Sequence, residues 1–392
     1  MKLLSLYKAL GPLLRPFGLP YAGAMSVRRV LYAGGHLSSY RPACPVVSVG
    51  NIAWGGSGKT PLTAWLLAFA RSASLKAAVL SRGYKASPGT APLHVQPGIP
   101  AQSAGDEPLM LACAFPDAAV ISFPNRAEAA RYAEACFHPN LIILDDGMQH
   151  LAVRRDINIV VLRPDDLEAD WNRVIPSGPW REGLSSLASA SAFVLKAEPD
   201  ELARLEGLAW QRLAFFARPL FSFRMAPMGL RPLFAPEPGR GAAPAMSTGS
   251  AASTGAALLN PEDYRDRPYA LVSGVGHHAG VEKTATRLMG RPPMRHFDFA
   301  DHHPYTEADV QAVRKMLPAP LPVLCTTKDA VKLAAYREAW GGLPVWVLET
   351  EAEFGPSIFT EESFPSWFTR SLQAAAATRS IMLPGGSSWR KD

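Results

Sequence analysis

The stretch Val46–Leu62, VVSVGNIAWGGSGKTPL, restricts the possible fold more than any other part of the chain. An apolar run (Val46, Val47, Val49) enters a glycine-rich turn. Lys59 and Thr60 follow, and then an apolar helical pattern through Leu62, Trp65, Leu66 and Phe69. Strand, glycine loop, Lys-Thr and helix together form an apparatus for holding a nucleotide polyphosphate. Gly55, Gly56 and Gly58, with Ser57 among them, let the backbone turn tightly and aim several N–H groups inward. The helix N-terminus adds partial positive charge, Lys59 can reach the outer phosphates, and Thr60 can ligate Mg²⁺. The usual spacing, G-x-x-x-x-G-K-[ST], places a glycine where this chain has Ala53. The loop predicts binding of ATP or GTP.

The chain has 392 residues, enough for a sizeable core and for two domains. Its four cysteines (Cys44, Cys113, Cys136, Cys325) form no C-x-x-C pair, which argues against a zinc site or a disulfide framework and suits a reducing compartment. Charge is unevenly spread. No Asp or Glu precedes Asp106, whereas Lys2, Lys8, Arg15, Arg28, Arg29, Arg41, Lys59, Arg71, Lys76, Arg82 and Lys85 do. Such a basic leading block calls for an anionic partner: nucleic acid, a membrane surface or a phosphorylated substrate.

Residues 1–10, MKLLSLYKAL, place Leu3, Leu6, Tyr7 and Leu10 on one helical face, with Lys2, Ser5 and Lys8 opposite. Pro12, Pro16 and Pro20 are expected to prevent one long helix, and no run reaches the roughly 20 apolar residues of a membrane span. Charge and prolines also make a poor signal peptide. An apolar face beside Lys and Arg suits a helix lying in a membrane interface. Packing on the protein's own core would explain the same pattern.

Apolar strand-like runs recur at Val46–Val49, Ala77–Leu80, Ala119–Phe123, Leu141–Leu144, Ile157–Leu162 and Phe193–Leu195, separated by helical patterns near 61–73, 107–115 and 126–136. This alternation predicts an α/β fold with a largely parallel sheet and helices on both faces. A second unit begins at Phe221–Met225, with strands expected at Tyr269–Val272, Val323–Cys325 and Val345–Leu348 and helices near 278–289, 306–316 and 329–339. The expected division is an N-terminal amphipathic region (1–35), a nucleotide-binding kinase-like domain (36–215), a smaller C-terminal α/β domain (216–370) and a tail (371–392). The Pro/Gly/Ala/Ser-rich segment 235–257 is expected to be a mobile loop.

Several polar groups could perform chemistry. The run Leu141–Leu144 ends in Asp145 and Asp146, where a nucleotide enzyme places its Mg²⁺ ligand. Asp106, in GDEPL, stands at a helix start, where an N-cap would account for it equally well. His302 and His303, in FADHHPYT, precede another helix. An aspartate from one domain and a histidine from the other could deprotonate a hydroxyl between them. Arg82, in LSRGY, and Arg181, in PSGPWRE, are candidate phosphate or carboxylate clamps.

Taken together, GNIAWGGSGKTP, LSRGY, GDEPLML, LDDGMQH followed by RRDINIVVL, PSGPWRE, SGVGH, FADHHPYT and TTKDAVKL resemble, in that order, the tetraacyldisaccharide 4′-kinases, the lipid A 4′-kinases of Gram-negative bacteria. The resemblance runs to about residue 348. It implies a two-lobed P-loop kinase that uses ATP and Mg²⁺ to phosphorylate the 4′-hydroxyl of an acylated, 1-phosphorylated glucosamine disaccharide. It also implies a place at the cytoplasmic face of the inner membrane through the N-terminal helix, and no nucleic-acid partner. By the family's pattern Asp106 matches the catalytic aspartate and His302 its paired histidine. Asp145 and Asp146 match the acidic pair at the metal, Lys59 and Thr60 the phosphate loop, and Arg82, Arg181 and His303 are carried as substrate-binding candidates. His277 and His278 depart from a small or Asn-Pro pair, Thr327 stands where Glu is common, and 235–257 reads as an insertion. A membrane-associated ATPase switch of the MinD/ParA type is the alternative, but its signature lysine position is occupied by Trp54. TTKDA lacks the aspartate that would read guanine, which disfavours a GTPase.

Overall fold

The computed structural model describes residues 2–83, 89–234, 246–250, 257–317 and 320–379, with only the backbone course given for 2–10, 12, 246–250 and 257. In chain order the strands are β1 (Val46–Asn51), β2 (Ala77–Ser81), β3 (Leu93–Val95), β4 (Ala119–Ser122), β5 (Leu141–Asp145), β6 (Ile157–Leu162) and β7 (Ala192–Lys196). There follow β8 (Leu220–Pro232), β9 (Met246–Ser250), β10 (Ala257–Leu259), β11 (Ala270–Ser273), β12 (Arg295–Asp298), β13 (Val323–Thr326) and β14 (Val345–Ile358). Twelve of them form one sheet in the order β12-β11-β13-β14-β8-β7-β6-β1-β5-β2-β4-β3. Pairing is parallel except at β3–β4 and at β8–β14. The α/β reading therefore holds, and every strand expected from the apolar runs is present. β3, β9, β10 and β12 are not among the expected strands; β3 has three residues, β12, RHFD, has no apolar run to announce it, and β9 and β10 fall in or at the edge of the segment expected as a loop.

The centre of the sheet is buried on both faces, which is why its strands read as unbroken apolar runs. All six residues of β1 are buried, and Val47 is paired with Ile143 of β5 and Ile157 of β6. The expected second unit continues the same sheet through the long antiparallel β8–β14 ribbon, in register from Trp346–Pro232 to Ile358–Leu220 with two shifts. Residues 371–377, expected as the start of the tail, instead belong to the helix Phe364–Ala377. Its Phe364 and Phe368 sit edge-on to Trp65 at 5.1 and 6.0 Å in the first half of the chain. Each such buried ring contributes about 1.5–3 kcal/mol, and their anchoring face overrides the alanine-rich sequence's loose appearance. Residues 380–392 lie outside the described part. So do 235–245 and 251–256 of the expected loop; what is described there pairs β9 with β10.

The N-terminal expectation needs correction. Lys2–Ala33 is one helix, α1, of 32 residues, despite Pro12, Pro16 and Pro20. Prolines four apart fall on one face, so the backbone donors they remove lie along a single stripe. The opposite face is held by tertiary packing. Gly11 and Gly18 lie so close to Arg173 and Ser177 that a Cβ would meet them at 2.4 and 3.2 Å. Arg28 donates to the Gln149 carbonyl at 3.1 Å, and Arg29 is paired with buried Glu182. Among the described residues no helix is long and apolar enough to cross a membrane.

Candidate active site

β1 and β5 run side by side, so their C-terminal ends bring the glycine loop and the Asp145–Asp146 pair together. The first part of the loop is stitched to another segment: Trp54 N–H donates to the Pro179 carbonyl at 3.0 Å, and Ala53 bridges Trp180. Ala53 is wholly buried there and its φ is not positive, so glycine is not required. Gly55 (φ 102°) and Gly58 (φ 91°) do need glycine. A Cβ on Gly58 would also lie 2.7 Å from the Phe223 ring. Helix α2 (Lys59–Ser72) starts directly after Gly58. The Ser57 hydroxyl is buried with no hydrogen-bond partner, an orphan that an oxyanion would satisfy.

Lys59 donates to Asn51 Oδ1 at 2.9 Å and stands 3.6 Å from Asp146. Arg181 grips Asp146 with both terminal nitrogens, at 3.0 and 2.8 Å, and also contacts Asn51. Burial alone would raise Asp146, but Lys59 and Arg181 overcome it and hold its carboxyl far below the usual range. Asp145 is the opposite case. Buried completely, with Glu107 and Asp146 nearby, it is pushed up to about 7. Its hydroxyl partner is Thr63, at 3.3 Å, one turn beyond Thr60 of the phosphate loop. Behind the pair, buried Arg126 donates to the Asp145 carbonyl at 3.4 Å. Burial and Arg126 push His150, at the end of LDDGMQH, down to about 3.

Asp106 is the first residue of the helix Asp106–Ala114, after Gly105 (φ 91°), which abuts Gly83. Its side chain caps nothing. Instead Oδ2 accepts from His302 Nδ1 at 3.1 Å and from Lys332 Nζ at 3.1 Å. Burial would raise this carboxyl, but the His302 hydrogen bond and the Lys332 charge bring it below the ordinary value. His302, at φ 60° in the loop after β12, is thus joined to a residue 196 positions away. Glu107 links this site to the first, because its charge is felt by Asp145.

The remaining candidates separate. Arg181 belongs to the acidic pair. Arg82 is exposed at the end of β2, close enough for its charge to act on Arg126 and His150; Tyr84 of the same motif lies outside the described residues. His303 turns away from His302, meeting Asp309 at 3.1 Å beside the Phe299 and Tyr305 rings. Asn51, Thr63, Glu107, Lys328 and Lys332 were not singled out from the sequence. Only the last two carried a signal, four apart in TTKDAVKL and so on one face of a helix.

Comparison with known proteins bears on what this arrangement serves. A family model described as tetraacyldisaccharide-1-P 4′-kinase matches residues 10–371. The tetraacyldisaccharide 4′-kinase of Nitratidesulfovibrio vulgaris is 45% identical over 368 residues, covering 94% of this chain and 96% of that one. That of Oleidesulfovibrio alaskensis is 42% identical over 386 residues, covering 97% and 100%. The crystal structure of LpxK from Aquifex aeolicus in complex with ATP matches with a TM-score of 0.69 at 25% identity, covering 93% of this chain and 99% of that one. A match over most of the length, joined to relatives this similar, means that the chain belongs to the tetraacyldisaccharide 4′-kinase family of ATP-dependent kinases.

Proposed function

We propose that this chain transfers the γ-phosphoryl group of ATP to the 4′-hydroxyl of an acylated glucosamine disaccharide 1-phosphate, with Asp106 as general base. The observation that carries the reading is the 3.1 Å contact between Asp106 and His302, made by residues from the two halves of the sheet, with Glu107 next to Asp106 acting by its charge on Asp145. Phosphoryl transfer asks little covalent chemistry of a protein, so positioning and charge neutralisation dominate. Lys59, released from Asn51, and the loop amides after Gly55 would hold the phosphates. Oδ2 of Asp106 is engaged by His302 and Lys332, and Oδ1 would take the sugar hydroxyl's proton. Arg82, exposed at the end of β2, is a cation suited to an anionic group of the substrate. Arg181 acts through Asp146, and His303 through the fold.

The donor set fits Mg²⁺. Asp145 is a buried carboxyl whose charge no cation within ion-pair distance offsets among the described residues. Among the described residues no group of three His, Cys, Asp or Glu is arranged to hold a metal ion, so phosphates and water would complete the coordination. Asp145 and Thr60 would hold the ion, with Asp146 next in sequence and engaged by Lys59 and Arg181; when bound, the ion would neutralise charge on the transferring phosphate.

Helix α1 supports a place at the cytoplasmic surface of the inner membrane. One face packs on the protein, while Leu13, Phe17, Val27 and Val30 on the rest are 74, 64, 59 and 67% exposed. Such a bare apolar stripe, with the exposed Pro16 and Pro20 on the same side, suits a lipid interface.

Transfer of labelled phosphate from ATP to monophosphorylated lipid A precursor tests the reading. Asp106→Ala is expected to lower turnover by about 10²–10⁴-fold, the span of a general base. Activity within tenfold of wild type would remove Asp106 from that role. ATP hydrolysis driven by plain vesicles, with no transfer to the disaccharide, would favour the ATPase switch.

A further inference from the structure

His302 touches charged groups at both ring nitrogens. Nδ1 faces Asp106 Oδ2 at 3.1 Å, and Nε2 faces Lys328 Nζ at 3.2 Å. Lys328 in turn donates to Asp301 Oδ1 at 2.7 Å, a short ion pair that keeps it an ammonium, a group with donors and no acceptor. Two donors cannot face one another across 3.2 Å, so Nε2 is the bare, accepting nitrogen. The ring proton then sits on Nδ1 and is donated to Asp106. The charged groups around the ring come from three elements: Asp106 from its helix, Lys328 and Lys332 from the helix Thr327–Leu333, and Asp301 from the ring's own loop.

We infer that Lys328 is a positioning residue which locks His302 as the neutral Nδ1–H tautomer, so that the proton of the substrate hydroxyl passes to Asp106 alone. An imidazole with a bare Nε2 is ordinarily a base. Here the ammonium occupies that lone pair, and a second positive charge on the ring would stand directly against it. His302 is thereby restricted to donating, which anchors Oδ2 and leaves Oδ1 as the accepting oxygen. The balance is simple: the hydroxyl O–H bond breaks, its proton goes to Asp106 Oδ1 and its electron pair forms the new bond to the γ-phosphorus, while the bond from that phosphorus to the β,γ-bridging oxygen breaks and ADP leaves with its electron pair. Lys332, bonded to the same Oδ2 and to the His303 carbonyl at 3.0 Å, keeps the carboxylate from swinging.

This inference rests on the kinase reading for its consequence, but its first test does not. In protein labelled with ¹⁵N-histidine, His302 should show a protonated Nδ1 and a bare Nε2 between pH 6 and 8, and a proton on Nε2 would overturn the proposal. The second test is the pH profile of kcat/KM for Lys328→Met and Lys328→Arg. Wild type should be flat through the range where ordinary imidazoles titrate, near pH 6.5. Lys328→Met should gain an acidic limb there, losing about tenfold between pH 8 and pH 6, while Lys328→Arg stays flat. An acidic limb in wild type, or an equal loss at every pH in Lys328→Met with unchanged His302 shifts, would reduce Lys328 to packing. Absence of transfer to the disaccharide would sink the kinase reading instead, and the tautomer would still be decided by the spectra. Should Lys328→Met fail to fold, the wild-type spectra and the Lys328→Arg profile still decide.

Discussion

The nucleotide side and the hydroxyl side of this site are built in contrary ways. On the nucleotide side, Asn51, Lys59, Thr63, Asp145, Asp146 and Arg181 all come from the first half of the chain and converge at the ends of the adjacent strands β1 and β5. On the hydroxyl side, the partners of Asp106, His302 and Lys332, lie 196 and 226 positions further on. The first half thus supplies the strand-end motif proposed to hold the nucleotide, whereas the surroundings of the proposed base are completed by residues from the second half. Binding and transfer should be separable.

The largest effect expected from that separation concerns nucleotide affinity. Lys59→Ala should weaken ATP binding by about tenfold or more, because a charged hydrogen bond to phosphate is worth roughly 1.5–3 kcal/mol. Asp106→Ala should leave ATP affinity, measured by calorimetry, within about threefold while transfer collapses. Equal losses of affinity in the two variants would break the comparison.

A middle-sized effect concerns stability. Asp145 titrates above the ordinary carboxylate value of about 3.9, so folding favours its protonated form. That contribution is complete below about pH 4 and is lost as pH rises through about 7. The nucleotide-free protein should lose melting temperature across this window, and Asp145→Asn should recover a few degrees at pH 7.5 while abolishing transfer. A variant that melts lower than wild type at pH 7.5 would mean that Asp145 is not electrostatically strained.

The smallest effect concerns the surface. Phe17→Asp with Val27→Asp, both on the exposed stripe of α1, should reduce co-flotation with anionic lipid vesicles while changing melting temperature by under about 1 °C. Unchanged flotation would confine α1 to packing on its own protein.

What was legible beforehand followed the same line. The glycine loop, the strand ending in Asp145–Asp146 and the alternating elements depend on local spacing, so their signal is contained in short windows. Three features were not. α1 runs through Pro12, Pro16 and Pro20 because segment 173–178 and Glu182 hold its far face, which no window around the prolines reports. Thr63, which no motif marks, reaches Asp145 because of where α2 sits on the sheet. His303, identical in type and adjacent to His302, differs only in facing Asp309 instead of Asp106. The pairing of Asp106 with His302 was available through resemblance; the two lysines that complete it needed coordinates.

The clasp of the helix Phe364–Ala377 on Trp65 gives the chain an order of completion. The phosphate loop lies far upstream, yet the Trp65 side of the helix it opens is met by the rings of Phe354, Phe364 and Phe368. Until they arrive, α2 presents Trp65 and Phe69 to whatever else is apolar nearby. A growing polypeptide of this kind therefore keeps that apolar face uncovered until residues 354–368 have been made.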